Sequence, residues 1–444
     1  MIFLYNILFF SAVTIGFPVI IPIVLFSEKR RKTVLQRLGL VSKTAKLRQG
    51  RLRHSENRPI WVHALSVGEV LSAVPLVKGL SKRFGHRDIV VSVSTKTGFG
   101  IASKYLQENV SSVFFYPYDL PFSVKCVVQR VNPTIVIIVE TDIWPNFLFE
   151  MKKRNVPVIL ANARLSKKSF SGYKRFHFFM KHVFLLFAKV CTQSKADAQR
   201  FWRLGVPSSK ISVAGNFKFD QEYDIISSEE KKKLRRSINL QPLQKVLLAG
   251  STHKGEESIL LDAFSKIKKE FADLLLVVAP RNPDRAKSVC RIFKSAGFST
   301  ALMKELENED PSERLDVVIV DTIGILKKLY ALADVAFVGG SLVKCGGHNP
   351  IEPASFAKPI IFGKDMSDFE PVSRILLASK GAVQVEGAED LYEAITMIIG
   401  DNNTAQRMGE SAFTIFNANK GAVEKTVKVV ESFSQNIKYA TNKA

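Results

Sequence analysis

The sequence predicts an α/β protein built from two doubly wound domains, and two observations support this prediction. Short apolar runs of strand type alternate with helical segments from Pro59 onward. The alternation stops in a polar stretch, Asp220 to Gln244, and then starts again. Because parallel strands need crossover helices between them, each series predicts a largely parallel sheet with helices on both faces. A chain of 444 residues is long enough for two such domains.

Each series contains enough strands for one domain. The first predicts an N-terminal domain over 59–219, with strands at Ile60–Leu65, Ile89–Val93, Val113–Tyr116, Ile135–Val139, Val156–Leu160, Val190–Gln193 and Ile211–Ala214. The second predicts a C-terminal domain over 245–435, with strands at Val246–Ala249, Leu274–Ala279, Val317–Val320, Val335–Val338, Pro359–Phe362 and Ala382–Val385. Residues 220–244 are then a linker with a surface helix, and 436–444 a polar tail. Two such domains facing each other predict a ligand cleft at the carboxyl ends of their strands.

The N-terminal segment 1–26 contains no charged residue. As an unbroken helix it would be roughly 39 Å long, enough to cross a bilayer, so we expect a transmembrane anchor. Ten Lys and Arg follow between Lys29 and Arg53, within a basic juxtamembrane segment 27–58. By the positive-inside rule they place the following domains on the cytoplasmic side, and they can bind anionic lipid headgroups. The alternative is an uncleaved apolar leader that lies on the membrane.

The net charge of +23 indicates anionic partners such as lipid, a phosphorylated substrate or nucleic acid. No nucleic-acid-binding motif accompanies the charge, so nucleic acid is not predicted as a partner. Four cysteines without a CxxC pair fit a reducing compartment, and nothing in their spacing indicates a disulfide framework. The sequence has no DxD, Walker A or GxSxG motif and no zinc-type histidine spacing, so neither a metal nor another cofactor is predicted.

The stretch Asp334 to Gly363 has the pattern strand, glycine-rich turn, short helix, strand. Its glycines allow positive φ and a close approach of backbone to a ligand. Pro350 fits the first turn of a helix, whose free N–H groups would face an anion, and Glu352 could accept hydrogen bonds from a ribose diol. The pattern predicts a nucleotide site. The alternative is a packed turn with a structural glutamate.

Three residues of the first domain are candidates for catalysis. Glu69 lies in the first helical turn after the first strand, where it could accept a proton or simply cap the helix dipole. Glu140 follows the apolar run Ile135–Val139, where it could line a site or be satisfied by loop N–H groups. Lys218, in GNFKFD, could neutralise charge on a leaving phosphate or be a surface lysine. In the second domain, Arg281 suits a bidentate contact with a phosphate or a carboxylate.

The stretch Lys167 to Lys189 interleaves basic and aromatic residues. It fits a patch that faces an acceptor or a membrane. It fits equally well an amphipathic core helix whose lysines extend to solvent.

Taken together, these motifs resemble the 3-deoxy-D-manno-octulosonic acid (Kdo) transferase family of lipopolysaccharide assembly. The resemblance rests on WVHALSVGEV, ETDIWPN, NARLS, GNFKFD, AGSTHKGEE, APR and FVGGSLVKCGGHNPIEPA, and it covers nearly the whole chain. It implies a GT-B glycosyltransferase fold of two Rossmann-like domains facing a cleft, with an N-terminal membrane-anchor helix. It also implies a bacterial inner-membrane enzyme that binds its acceptor on the first domain and CMP-Kdo on the second.

The resemblance assigns roles residue by residue. Glu69 matches the general base, and Glu140 and Lys218 match groups that assist the transition state. The positions that match CMP contacts are Pro280, Arg281, Ile323, Gly324, Ile325, Asn349, Pro350, Ile351 and Glu352. The family commonly has Glu where this chain has Ile325, and His where it has Asn282. Ile325 can offer only backbone polar groups to CMP.

The implied reaction is an inverting, metal-independent transfer of Kdo from CMP-Kdo to a lipid A precursor, lipid IVA, with one or more Kdo residues added. Glu69 would deprotonate the acceptor hydroxyl, and Lys218 and Arg281 would offset the charge on the leaving CMP. One alternative is a GT-B nucleotide-sugar epimerase, which needs no lipid acceptor. Another is a non-catalytic, membrane-anchored lipid-binding protein. The residues do not specify an oligomeric state.

Overall fold

The computed structural model describes residues 2–40, 58–221, 226–307 and 314–441. The chain divides into two compact units. Unit 1 comprises Met1–Gln221 and Lys420–Ala444, and unit 2 comprises Glu222–Asn419. Both units are α/β, as the alternating pattern of the sequence predicts.

Unit 1 contains a seven-stranded sheet in the order β3-β2-β1-β4-β5-β6-β7 in which neighbouring strands run parallel. Its strands are β1 (Ile60–Ala64), β2 (Ile89–Val93), β3 (Ser112–Phe115), β4 (Ile135–Val139), β5 (Val158–Ala163), β6 (Lys189–Thr192) and β7 (Ile211–Val213). Its first nine helices are α1 (Ile2–Phe26), α2 (Glu28–Arg37), α3 (Val67–Phe84), α4 (Lys96–Leu106), α5 (Pro121–Val131), α6 (Pro145–Lys153), α7 (Lys167–Arg175), α8 (His177–Leu185) and α9 (Lys195–Arg203). The seven predicted strands are confirmed.

Both faces of this sheet are covered, which is why its strands are continuous apolar runs. Successive residues of β1 point to opposite faces. Trp61 packs into one apolar cluster together with Phe147 of α6, whereas Val62 packs into another together with Leu76 of α3. All four side chains are fully buried.

Unit 2 contains a second seven-stranded sheet, in the order β10-β11-β9-β8-β12-β13-β14, again with parallel neighbours. Its strands are β8 (Lys245–Thr252), β9 (Leu274–Pro280), β10 (Thr300–Leu302), β11 (Val317–Ile319), β12 (Val335–Val338), β13 (Ile360–Phe362) and β14 (Ala382–Gln384). Its helices are α10 (Ser228–Ser237), α11 (Glu256–Glu270), α12 (Ala286–Ser295), α13 (Leu326–Leu329), α14 (Ile351–Ser355), α15 (Glu370–Ala378), α16 (Ala388–Gly400) and α17 (Asn402–Ala418). Six strands match the prediction, and the three-residue edge strand β10 was missed.

The observed boundaries between the units differ from the predicted ones. Helix α10 lies in the predicted linker 220–244, but its Leu234 is buried in the core of unit 2. The last helix, α18 (Ala422–Thr441), falls mostly within the predicted C-terminal domain, yet it belongs to unit 1. Its buried Ala422, Val427 and Val430 pack into the same cluster as α3. Of the predicted tail, 442–444 lie outside the described residues.

The N-terminal segment requires a correction. None of the helices in the described part of the chain is both long and apolar enough to span a bilayer, so the single-pass anchor predicted over 1–26 is not supported. Helix α1 contains Pro18 and Pro22, and polar side chains attach its first turns to unit 1. Tyr5 donates a hydrogen bond to Asp119 at 2.9 Å, and the Asn146 amide donates to Asn6 at 2.8 Å. Of the predicted basic segment 27–58, residues 41–57 lie outside the described residues.

The basic and aromatic stretch forms α7 and α8, and its aromatic side chains divide between the core and the surface. Phe170, Tyr173 and Phe179 pack against the core of unit 1. Phe176 and Phe178 are instead 66% and 75% exposed.

Candidate active site

The first candidate residue, Glu69, lies where the sequence places it, in the first turn of α3. The backbone N–H of Ser66 donates to Glu69 Oε2 at 2.8 Å, and the Ser66 hydroxyl donates to the same oxygen. This is a capping box, so Glu69 has the structural role that the sequence left open. The capping contacts orient its carboxylate at the carboxyl end of β1.

Glu140 occupies the residue after β4 with a φ of 62°, a left-handed conformation that non-glycine residues rarely adopt. Its N–H donates to Ala161 O at 2.8 Å. Burial raises the pKa of the Glu140 carboxyl, and the negative charge of Glu69 raises it further. The positive charges of Lys218 and Arg164 oppose this shift. The structure therefore brings Glu69, Glu140 and Lys218 together, and it adds Arg164.

Asn162 links the parts of this cluster, and no role was predicted for it. It lies within β5 with a φ of 51°. Its Nδ2 is 3.5 Å from Glu140 Oε1, and its Oδ1 accepts a 3.1 Å hydrogen bond from the N–H of Phe217, next to Lys218. Its carbonyl accepts from Gln193 Nε2 at 3.1 Å. The signal in the sequence was an amide side chain that interrupts the apolar run of β5.

A buried chain of hydrogen bonds runs from Trp61 to Asp142, in the loop that follows Glu140. The Trp61 indole donates to Ser92 Oγ at 2.7 Å, and Ser92 Oγ lies 2.9 Å from His63 Nδ1. His63 Nε2 lies 2.8 Å from the Asp142 carboxylate. His63 Nδ1 also lies 3.1 Å from Ser92 O, so one ring nitrogen faces both oxygens of Ser92 and the other faces the Asp142 carboxylate. His63 is fully buried, and it stacks on Tyr116 with ring centroids 3.8 Å apart.

We expect Glu140→Gln to change stability in a pH-dependent way. Because the folded-state pKa of Glu140 is raised, its carboxyl contributes stability that is complete below the ordinary glutamate pKa. That contribution is lost as the pH rises through the folded pKa. The melting temperature of the variant relative to wild type should therefore be higher at about pH 8 than at about pH 5. Differential scanning fluorimetry at both pH values measures this, with the exposed Glu108→Gln as control. An equal difference at both pH values would contradict the prediction.

In unit 2, the turn after β12 has the predicted glycine geometry. Gly340, Gly346 and Gly347 have φ values of 70°, 83° and 72°. A Cβ on Gly339 would lie 2.6 Å from Ser251 O, so only glycine fits there. This turn packs on the last residues of β8, Ser251 and Thr252.

A buried carboxylate that the sequence analysis missed holds this turn in place. Glu256, at the start of α11, accepts backbone N–H bonds from Gly340 at 2.7 Å and from Ser341 and Leu342 at 3.0 Å each. It also accepts from the N–H of His253 at 2.9 Å. Glu256 has no exposed surface. The signal in the sequence was a glutamate shortly after the strand-end motif Ser251-Thr252-His253.

The predicted CMP contacts lie in three loops of unit 2. Pro280 ends β9, and the Arg281 N–H donates to Thr252 O at 3.0 Å. Asn349 accepts from the N–H of Ile351 at 3.2 Å and donates to Glu352 Oε1 at 3.3 Å. Helix α14 begins at Ile351, so Pro350 precedes it and does not occupy its first turn.

Charged side chains in or next to two of these loops act on the Glu352 carboxyl in the third. Burial raises the pKa of the Glu352 carboxyl, whereas the Asn349 hydrogen bond and the charges of Lys327 and Arg281 lower it. Lys327 belongs to α13, which directly follows the predicted contacts Ile323, Gly324 and Ile325. Ile325 packs against the core of unit 2, and Ile323 is 84% exposed. Asn282 accepts from the N–H of Asp284 at 3.1 Å, which satisfies one of its polar groups locally.

Comparisons with known proteins agree with this geometry. A sequence model described as 3-Deoxy-D-manno-octulosonic-acid transferase (kdotransferase) matches residues 32–221. The chain is 33% identical to the 3-deoxy-D-manno-octulosonic acid transferase of Haemophilus influenzae over 381 residues. This alignment covers 84% of this chain and 87% of the relative. The chain belongs to the 3-deoxy-D-manno-octulosonic acid transferase family. The Rickettsia bellii member is 29% identical and covers 97% of this chain and 99% of its own length.

Solved structures support the same fold at low sequence identity. A UDP-GlcNAc 2-epimerase from Neisseria meningitidis matches with a TM-score of 0.59 at 15% identity, covering 83% of this chain and 100% of its own. A glycosyltransferase from Rickettsia africae matches with a TM-score of 0.56 at 15% identity, covering 86% and 100%. The predicted glycosyltransferase class is thus confirmed by family membership, and the GT-B class agrees with these neighbours.

Proposed function

We propose that this Kdo transferase family member moves Kdo from CMP-Kdo to the lipid A precursor lipid IVA, with inversion and without a catalytic metal. The observation that carries the proposal is the cluster of Glu69, Glu140 and Lys218 at the carboxyl edge of the sheet in unit 1. A carboxylate base beside a lysine and a second carboxyl supplies both proton transfer and charge stabilisation.

Each residue of the cluster has one proposed role. Glu69 accepts the proton of the acceptor hydroxyl, whose oxygen then bonds to the anomeric carbon of Kdo. The bond from that carbon to the phosphate oxygen breaks, and CMP leaves with the electron pair. Glu140 and Lys218 stabilise the oxocarbenium-like transition state. Asn162 acts as a positioning residue, because it contacts both Glu140 and the Lys218 loop.

Unit 2 is proposed to bind the donor. Arg281 would contact the phosphate, the partly buried Glu352 the ribose hydroxyls, and the loop 323–325 the nucleoside through backbone groups. The proposed membrane partners are the lipid acceptor itself and anionic headgroups that the net charge of +23 attracts.

The experiment combines purified protein, CMP-Kdo and lipid IVA, measures CMP release and identifies the lipid product by mass spectrometry. Release of CMP together with lipid that carries one or more Kdo residues is expected. Conversion of a nucleotide sugar without any acceptor would favour an epimerase instead. Lipid binding without CMP binding would favour a non-catalytic lipid-binding protein.

Arg281→Ala is expected to weaken CMP binding by about tenfold or more, because a charge-assisted contact to phosphate is lost. Binding of cytidine, which has no phosphate, should stay unchanged. Isothermal titration calorimetry with both ligands measures the effect, and the exposed Arg374→Ala on α15 is the control. Equal weakening of cytidine and CMP would show that Arg281 acts on the fold and not on the phosphate.

A further inference from the structure

Two histidines that have no assigned role form a pair in unit 2. His253 follows the end of β8, and His348 precedes Asn349 in the glycine turn. Their Nε2 atoms lie 2.8 Å apart, and their rings are nearly parallel, with an interplanar angle of 12°. Both side chains are half-buried. A Cβ on Gly340 would lie 3.0 Å from the His348 ring, so the glycine at this position makes room for the pair.

The 2.8 Å separation sets the protonation of the pair. One ring must donate through Nε2–H, and the other must accept with a bare Nε2, because two N–H groups would collide. The contact therefore holds one proton between the two rings, in the neutral pair and in the singly protonated pair alike. One further proton can be added at Nδ1 of the donating ring. The Nε2–H···Nε2 bond then remains and becomes charge-assisted.

Burial and a nearby positive charge favour a neutral His348, whereas the carboxylates around the turn favour protonation. Burial, together with the positive charge of Arg281 and the neighbouring His253, lowers the pKa of His348 to about 4. The carboxylate of Glu256 contacts the N–H groups of His253 and Gly340. On the other side of the turn, Asp365 accepts from the N–H of Gly346 at 2.8 Å, and Asp368 donates its N–H to Gly346 O at 2.9 Å.

We propose that the His253–His348 pair takes up a proton from solvent when a phosphate binds at Arg281, and that the fraction of pairs protonated is larger for a phosphate dianion than for a monoanion. The inference rests on the proposed donor site. A phosphate monoanion cancels the charge of Arg281, and a dianion leaves one negative charge beside the pair. The phosphate of the donor is a diester with one negative charge, whereas the phosphate of the released CMP carries close to two near neutral pH. The pair thus supplies positive charge when the sugar–phosphate bond breaks.

The test is the number of protons taken up on ligand binding, from calorimetric titrations in buffers that differ in ionisation enthalpy. The probes are CMP and its 5′-phosphate methyl ester, which stays a monoanion. A bound dianion should raise the pKa of the pair to at least the ordinary histidine value of about 6.5. At about pH 6.5, wild type should then take up at least about half a proton more with CMP than His348→Asn does. Because both proteins bind the same CMP, subtracting one uptake from the other removes the protons that CMP itself gains or loses. The methyl ester should give a smaller difference.

His253→Asn removes the other half of the pair and should give the same loss, and the exposed His86→Asn in unit 1 should behave as wild type. CMP binding with equal proton uptake in wild type and His348→Asn would overturn the proposal, and so would an absence of CMP binding. If either pair variant fails to fold, wild type alone still provides a test. Proton uptake that is equal with CMP and with the methyl ester, once the protonation of free CMP in solution is subtracted, would also overturn the proposal. Kdo transfer is scored separately. Transfer without the extra uptake refutes only this inference, and uptake without transfer refutes only the proposed reaction.

Discussion

Glu69→Gln is expected to lower the rate of CMP release in the presence of lipid acceptor by roughly 10²–10⁴-fold, the usual contribution of a general base. An amide cannot take the proton from the acceptor hydroxyl. It can still accept the hydrogen bond from the Ser66 N–H through its oxygen, so the capping box and the fold should persist. Because Glu69 lies in unit 1, CMP binding by unit 2 should be unchanged. Acceptor-dependent CMP release and calorimetric CMP binding, measured on the same preparation, check both statements.

The matched control is Glu389→Gln, which removes another first-turn glutamate, on α16 in unit 2. Its side chain is exposed and pairs with Lys266. Removing a carboxylate at a helix start costs about 0.3–1 kcal/mol through the helix dipole, so this variant reports the structural part of the effect. Turnover near the wild-type rate in Glu69→Gln would exclude Glu69 as the base and leave it only its capping role.

Glu256→Ala is expected to produce a large loss of stability in unit 2. The change leaves three N–H groups of the turn after β12, and that of His253, without their acceptor. Each buried donor left unsatisfied costs about 1–3 kcal/mol, partly offset by water that enters the space, so a total of roughly 3–5 kcal/mol is expected. The midpoint of chemical denaturation should fall, and CMP binding should be lost because the same turn carries Asn349 and leads into α14, which carries Glu352.

Glu256→Gln should also be destabilising, because its amide N–H groups would point at backbone donors. The control is Glu386→Ala, which removes an exposed carboxylate paired with Lys364, and exposed pairs of this kind contribute little. A denaturation midpoint for Glu256→Ala equal to that of the control would show that the turn does not depend on this carboxylate.

The strands were predictable because both sheets are parallel and covered on both faces. Ile135–Val139 is an unbroken apolar run, and it is β4 residue for residue. The three-residue strand β10 was missed because a short edge strand needs few apolar residues. The last helix was assigned to the wrong unit because an amphipathic pattern shows that a face is buried but not which surface buries it. In the structure, Asp220 accepts N–H bonds of 2.6 Å each from Gly421 and Val423 and so fastens the start of α18 to unit 1.

The sequence by itself determined the class of fold, the two α/β series, and Glu69, Glu140 and Lys218 as candidates, because periodicity and strand-end position are local properties. Only the tertiary structure decided which residues support those candidates. The contacts of Asn162 with Glu140 and of Glu256 with the turn after β12, and the 2.8 Å approach of His253 to His348, join residues 22 to 95 positions apart. Such contacts depend on strand order and backbone geometry, and local sequence patterns do not predict either of these.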